Sequence, residues 1–385
     1  MGNHQLETTL FEYLGVADME RIHSQTLAWI FSKKCKALNN TQRKTLIYDI
    51  FGIEDDCSGI ETITEFKHID IVIKLDNHVI YIENKIKSGL SNKQLERYNK
   101  FIEATTEFGE RKPKKYYLTL YDMKDNDRKT KKWNNIQYKT IIDALPLNVL
   151  APNNDDSVML EQYVRTLENI YYVCDTFLGN PKEYSFVFID GSKKTSEKTS
   201  EKWESTDEVK NYIRDFRLET YLQKLFLTEV SQKLMTSKLD VKWEIRETHG
   251  NALISGILME DDTINYHFGF QNKAIILWFN DRGLNNEDRS RMVEKAFEFG
   301  KEKFGYTRLN KKKQKHDKSN ISISKTMIID NGYEYDYKMS VTDFAAICKK
   351  EMKIATEIFK HISAEKLAEY KKLKQKTKNQ IKPNS

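Results

Sequence analysis

The stretch from His68 to Lys85 constrains the fold of this chain more than any other. It holds two runs, His68–Leu75 (His-Ile-Asp-Ile-Val-Ile-Lys-Leu) and His78–Lys85 (His-Val-Ile-Tyr-Ile-Glu-Asn-Lys), broken by Asp76-Asn77. Isoleucine at alternate positions asks for extended backbone with one side buried. Asp-Asn supplies turn chemistry, so the two runs read as a hairpin. A turn symmetrical about Asp76-Asn77 pairs Leu75 with His78, Ile73 with Ile80 and Ile71 with Ile82, and therefore sets Asp70 opposite Glu83. Ile69, Ile71, Ile73 and Leu75 share one face of the first strand, and Ile80, Ile82 and Ile86 share one face of the second. The opposite face carries Asp70 and Val72, then Tyr81, Glu83 and Lys85.

Two carboxylates directly opposite in an antiparallel pair have Cβ atoms about 5 Å apart and repel unless a cation lies between them. A hard divalent ion removes that cost: Mg²⁺ takes one or two carboxylates, phosphate oxygens and waters, and the carbonyl of Asn84 is adjacent. Lys85 lies on the same face as Glu83 and is placed to hold or activate a water. The competing reading is a wet sheet face on which Lys85 merely neutralises Glu83. The strongly apolar strands around the acids speak against it.

At 385 residues the chain is long enough for two domains of roughly 150 residues each. Thr62–Lys67 reads as a further strand before the hairpin, and Met19–Phe31 as a helix with Asp18 placed to cap it. After the hairpin come a helix over Ser91–Glu107, strands at Lys115–Tyr121 and Asn135–Lys139, a short helix near Thr140–Leu145 and a long helix at Val158–Asp175. Gly191–Trp203 repeats Thr-Ser-Glu-Lys after a strand-like Ser185–Ile189 and reads as a linker. The expected domains are thus 1–190, a linker at 191–205, an α+β domain over 206–365 and a lysine-rich tail over 366–385. In the second domain a long helix over Asp207–Met235 precedes strands near Trp243–Glu247, Ala252–Met259, Thr263–Phe270 and Ala274–Phe279. A helix near Glu287–Phe304, strands near Ile321–Ile329 and Tyr333–Met339, and a final helix from Val341 complete it.

Lys and Arg total 63 against 57 Asp and Glu, a net +6 that the tail from Lys366 to Ser385 accounts for by itself, with seven lysines and one acid. Only local patches can then recruit anions: Arg111–Lys115, Arg128–Lys132, Lys311–Lys315 and the tail. Lys311, Lys312, Lys313, Lys371 and Lys372 are the candidate nucleic-acid contacts. Trp243, Trp278 and the tyrosines of the second domain read as core residues, with base stacking as the alternative. Cys35, Cys57, Cys174 and Cys348 form no C-x-x-C pair and read as buried thiols. The longest apolar runs, Ala274–Phe279 and Ala252–Leu258, fall far short of the roughly 20 residues of a membrane span, and Met1–Phe11 lacks signal-peptide character. A cytoplasmic, soluble protein is expected. Leu6 stands where an N-myristoylation signal wants Ser or Thr, and ATP-binding G-x-x-x-x-G-K-[ST], H-E-x-x-H and G-x-S-x-G motifs are missing from the sequence.

Asp70, then Glu83-Asn84-Lys85 at the end of the next strand, then a helix with Gln94 and Tyr98, resembles the PD-(D/E)XK nuclease superfamily. Glu20-Arg21-Ile22-His23-Ser24 is similar to the E-x-x-H-S helix that opens a bacterial group of these proteins. Ile69 stands where the family name has Pro. The resemblance covers about residues 10–175. It implies a restriction-endonuclease-like α/β fold, a mixed β-sheet core flanked by helices, ahead of the second α+β domain. It also implies Asp70 and Glu83 as ligands of Mg²⁺ (or Mn²⁺), Lys85 as the catalytic lysine, Glu20 as a further acid near the metal, and Gln94 and Tyr98 as substrate-orienting residues. His23, three residues from Glu20, faces the same way on a helix; it reads either as substrate-orienting or as a hydrogen-bonded residue fixing the helix to the sheet. Gln162-Tyr163 echoes Gln94 and Tyr98, but core packing is the better account of it.

The expected function is hydrolysis of nucleic-acid phosphodiester bonds, with DNA ahead of RNA and antiviral defence as the setting the resemblance supplies. The second domain and tail would add phosphate contacts. A homodimer suits cutting both strands of a duplex, and motor activity would need a partner protein. The alternatives are an RNase, or a nucleic-acid-binding scaffold that keeps the fold but has little activity.

Overall fold

The computed structural model describes residues 5–87, 94–122, 132–149, 154–188, 205–235, 241–248, 251–260, 264–271, 274–281, 286–310, 322–326 and 340–380. The chain forms two compact units. The first comprises 1–180 and 199–225, the second 181–198 and 226–385. Residues 206–225, where the sequence reading opened the second domain, fall in the first unit.

The first unit is built on a five-stranded sheet in the order β1 (Glu61–Phe66), β2 (Ile69–Lys74), β3 (His78–Lys85), β4 (Lys112–Thr119) and β5 (Asn134–Gln137). The first three strands run antiparallel, whereas β4 is parallel to β3 and β5 to β4, which makes the sheet mixed. The hairpin register is the one the isoleucines dictate, with Ile71 opposite Ile82 and Ile73 opposite Ile80. Leu75 N donates to His78 O across the Asp76-Asn77 turn at 2.9 Å. Buried Asp55 clamps that turn, accepting from Asn77 N, Asn77 Nδ2 and His78 Nδ1, each at 2.9 Å. Burial opposes the charge on Asp55, but these hydrogen bonds outweigh it and hold its carboxyl below the usual range. The β1–β2 turn puts Lys67 (φ 52°) and His68 (φ 70°) in the left-handed region, as a two-residue turn of the I′ kind demands, without the Asn-Gly that such turns favour.

Both faces of the sheet are covered. The isoleucine face meets α2 (Glu20–Phe31), which buries Leu27, Ile30 and Phe31. The other face is no wet surface either: α4 (Gln94–Ala104) lays Leu95, Tyr98 and Ile102 over Val72 and Tyr81 in an aromatic cluster with Phe108, Tyr117 and Trp133. Short α1 (Leu10–Tyr13), α5 (Tyr138–Ala144), α6 (Asp155–Gly179) and α7 (Glu208–Asp215) complete the unit with α3 (Asn40–Phe51).

Several local expectations change. Asp18 does not cap α2; the N-cap is Met19, with no side-chain cap, because Asp18 is paired with Lys87. Helix α3 was not expected, although Asn39 and Gln42 form a capping box at its start and Gly52 ends it at φ 63°. Its Arg43 is buried and donates to the Cys35 and Leu38 carbonyls at 2.9 Å each. The helix expected over Asp207–Met235 is broken. Asp207 caps α7, Arg217 turns into the left-handed region at φ 50°, and α8 (Glu219–Met235) follows. Ser185–Ile189 is not a strand: Pro181–Phe188 is a 3₁₀ stretch that buries Tyr184, Phe186, Val187 and Phe188.

The second unit holds a six-stranded antiparallel sheet ordered β10 (Arg308–Asn310), β11 (Ser322–Thr326), β9 (Ala274–Asp281), β8 (Ile264–Gln271), β7 (Asn251–Glu260), β6 (Trp243–Thr248). Its inner face buries Ile254, Tyr266, Phe268, Phe270, Leu277 and Ile323. Phe270 meets Phe344 (ring centroids 4.6 Å) and Tyr266 meets Phe359 (5.1 Å) on α10 (Val341–Gln380), beside α9 (Asn286–Phe304). Trp243 is core: its ring lies over Gly256, where an added Cβ would fall 3.0 Å from Cε3. The expected strand at Tyr333–Met339 lies outside the described residues.

Candidate active site

Strand alternation alone delivers Asp70, Glu83 and Lys85 to one face, and the observed register brings them together. Lys85 Nζ lies 2.7 Å from Glu83 Oε1 and 3.9 Å from Asp70 Oδ2. Asn84 N donates to Asp70 Oδ2 at 2.7 Å, which locks that carboxylate across the hairpin. Glu83 is fully buried. Burial, followed by the neighbouring Asp70, pushes its carboxyl up to about 8 despite Lys85. Asp70 is raised too, chiefly by burial. Burial works against the Lys85 ammonium, but Glu83, Glu20 and Asp70 outweigh it and raise its pKa.

Gln94 and Tyr98, one turn apart on α4, reach this cluster from above. Gln94 Nε2 donates to Glu83 Oε1 at 2.6 Å and to Tyr98 OH at 2.9 Å, and Tyr98 OH donates to the His68 carbonyl. The β1–β2 turn, α4 and the acid on β3 are therefore linked in one chain of hydrogen bonds.

Glu20 opens α2 at the end of β3. Its Oε1 accepts from Ile86 N at 3.0 Å and Lys87 N at 3.2 Å, while Oε2 lies 3.8 Å from Lys85 Nζ. The Asn84 side chain points to the isoleucine face. There Nδ2 donates to Ser24 Oγ at 3.0 Å and to Glu20 O at 3.2 Å, and Oδ1 accepts from Tyr138 OH at 2.8 Å. Ser24 belongs to the motif that named this helix, but Tyr138 carried no sequence signal. Lys87 pairs with Asp18 and donates to the Phe216 carbonyl at 3.2 Å, and Lys224 Nζ donates to the Lys87 carbonyl at 3.4 Å.

His23 is not brought to the carboxylates. It is 1% exposed; Nε2 donates to Ala17 O at 2.7 Å, and Nδ1 then accepts from Tyr163 OH at 3.1 Å. Burial lowers its pKa to about 4, so the ring is neutral. The Gln162-Tyr163 echo is likewise internal: Tyr163 is buried and Gln162 accepts from Leu10 N at 3.0 Å. In the Arg111–Lys115 cluster, Arg111 binds the Leu75 and Phe108 carbonyls and Lys115 binds Asn99, so two of its cations are engaged internally. Lys311, Lys312 and Lys313 lie outside the described residues, as do the side chains of Lys371 and Lys372 on α10. All four cysteines are buried and free.

Asp70 and Glu83 fit a divalent ion. Glu83 Oε2 is a fully buried oxygen with no hydrogen-bond partner among the described residues, and such an atom is costly unless something positive meets it. Among the described residues no group of three His, Cys, Asp or Glu side chains forms a ready-made metal cage. The protein's share is a carboxylate pair, the number Mg²⁺ commonly takes when phosphate oxygens and waters complete its shell.

A mixed sheet that presents two acids and a lysine from adjoining strands beneath a Gln/Tyr helix defines a nuclease-type phosphodiesterase fold. Residues 9–165 match the family model of the PD-(D/E)XK nuclease superfamily. The match supports a phosphodiester hydrolase with nucleic acid as substrate and a divalent metal as cofactor. No curated protein and no solved structure matches the chain significantly. Among the described residues no helix is long and apolar enough to cross a membrane.

Proposed function

We propose that the protein is a Mg²⁺- (or Mn²⁺-) dependent deoxyribonuclease acting in defence against foreign DNA. The observation that carries the enzymatic part is the placement of Lys85 Nζ within 3.9 Å of Glu83, Glu20 and Asp70. DNA and the defence setting rest on the family resemblance. Asp70 and Glu83 would hold the metal, which when bound polarises the scissile phosphate. Lys85 orients the attacking water and balances the buried acids. Gln94 fixes the Glu83 rotamer, and Glu20 positions the end of β3 through the Ile86 and Lys87 amides. A homodimer would supply one site for each strand of a duplex, and a partner protein would supply any motor function. Incubation of the purified chain with plasmid, linear DNA, single-stranded DNA and RNA, with Mg²⁺, Mn²⁺ or EDTA, tests this reading. Metal-dependent DNA cleavage that Asp70→Ala abolishes is the expected result. Preferential RNA cleavage makes it an RNase, and metal-independent binding without cleavage makes it a scaffold.

A further inference from the structure

The outer face of the second unit's sheet carries a feature that a purely structural sheet has no use for. By register, Ser322, Trp278, His267 and Ile257 form one row across β11, β9, β8 and β7. The next row is Arg308, Ser324, Ile276, Gly269 and Ser255. The inner-face neighbours Leu277, Phe268 and Ile323 are 0–1% exposed, whereas Ile257, His267, Ile276 and Trp278 are all partly exposed. The His267 and Trp278 rings are stacked, with centroids 5.1 Å apart and planes 7° from parallel. The indole leans over Gly269: a Cβ there would fall 2.6 Å from Cζ3 and 2.8 Å from Cη2 of Trp278. Any other residue at 269 would lift the ring. On its far side the cross-strand neighbour of Trp278 is the small Ser322.

We propose that this Trp278–His267 platform binds single-stranded nucleic acid by stacking a base, a role that rests on the nuclease reading and adds a substrate form to it. Every base has a π-face, and an aromatic ring on an accessible sheet face takes it without regard to sequence. In a duplex those faces are occupied by neighbouring bases, so the platform selects unpaired strand. Charge agrees with this occupant. Arg308 is exposed at the edge of the sheet, in the row next to that of Trp278, where a phosphate of a stacked strand meets positive charge. Trp243, by contrast, is 7% exposed and packed on the inner face over Gly256.

The test measures binding without cutting. Full-length Lys85→Ala protein in EDTA is titrated with labelled single-stranded DNA, single-stranded RNA and the matching duplex. Single strands are expected to bind more tightly than duplex, with Trp278→Ala in the same background weakening them about 5- to 100-fold, as loss of one base stack does. Trp278→Phe should retain most of the affinity, and Arg308→Ala should lower the salt slope by about one. A Trp278→Ala protein that melts like its parent and binds single strands equally well overturns the proposal, as does a parent with no preference for single strands. A change in oligomeric state by light scattering in Trp278→Ala, with oligonucleotide binding unaltered, also overturns it and makes the face a protein interface. If the wild-type protein cuts nothing yet loses single-strand binding with Trp278, the platform stands and the nuclease reading falls.

Discussion

Lys85 Nζ sits 2.7 Å from Glu83 Oε1 and 3.9 Å from Asp70 Oδ2, so the ammonium leans on one acid of the pair. A divalent ion held by Asp70 and Glu83 would supply the positive charge that Lys85 now gives Glu83, leaving the ammonium to meet water or substrate. Lys85→Ala is expected to lower single-turnover cleavage by on the order of 10²- to 10⁴-fold, the range of positioned proton-transfer groups. Lys85→Arg should restore little, because a planar guanidinium does not replace a compact ammonium in a buried site. Activity within twofold of wild type in either variant would remove Lys85 from the chemistry.

Protonation of Glu83 should make metal binding and stability depend on pH in opposite senses. Its folded pKa is raised to about 8 from 4.5, so the folded state holds a proton that the unfolded state releases. That contribution is complete below about pH 4.5 and is lost as pH rises toward about 8. In EDTA the melting temperature is therefore expected to fall between pH 5 and pH 8, and less so in Glu83→Gln. Metal binds the ionised acid, so the melting shift produced by Mg²⁺ should grow over the same interval. A metal-induced shift independent of pH would contradict this account.

Asn84 stands between the two named residues of the Glu-x-Lys motif yet serves the opposite face. Removing its amide leaves Ser24, Tyr138 and the Glu20 carbonyl without their partner. Asn84→Ala should cost about 1–3 kcal/mol, the usual penalty for stranded buried polar groups. Chemical denaturation measures the loss. An Asn84→Ala protein as stable as wild type would show that the bracket does not hold α2 to β3.

His23→Ala should act through the fold. It strands Tyr163 OH and the Ala17 carbonyl, and a destabilisation of about 1–3 kcal/mol is expected. Cleavage assayed well below the melting temperature should change little. A large loss of turnover in a protein of unaltered stability would return His23 to the substrate.

The Lys67-His68 turn holds two non-glycine residues at positive φ. Asn-Gly in their place, as Lys67→Asn with His68→Gly, should raise stability by about 1 kcal/mol by relieving this conformation. The carbonyl of residue 68 remains available to Tyr98. A lower melting temperature would mean that side-chain contacts of Lys67 or His68 outweigh the backbone relief.

The hairpin was legible because its signal is local: a period-two isoleucine pattern and a turn dipeptide fix the register, and the register alone sets Asp70 across from Glu83. Helix α4 was legible from its own local pattern, whereas Gln94 and Tyr98 stood out only through the family resemblance. Residues whose role comes from distant packing were not. Tyr138 is an ordinary aromatic in sequence, and only the fold places its hydroxyl on Asn84. Asp55 lies 22 residues before the turn it clamps. Asp18 looked like a helix cap because capping is a local rule, but Lys87 competes for it with a full charge. The break at Arg217 was hidden because left-handed corners usually advertise themselves with glycine.

The first unit is assembled from 1–180 together with 199–225, and the later piece supplies Tyr212 to Glu12, Phe216 O to Lys87 and Lys224 to the Lys87 carbonyl. On the ribosome, a nascent chain that has emerged only as far as the end of α6 still lacks all three contacts, two of them at Lys87 just past the acid-bearing strand. Completion of the first unit thus waits on translation of a stretch that lies past the matched family region.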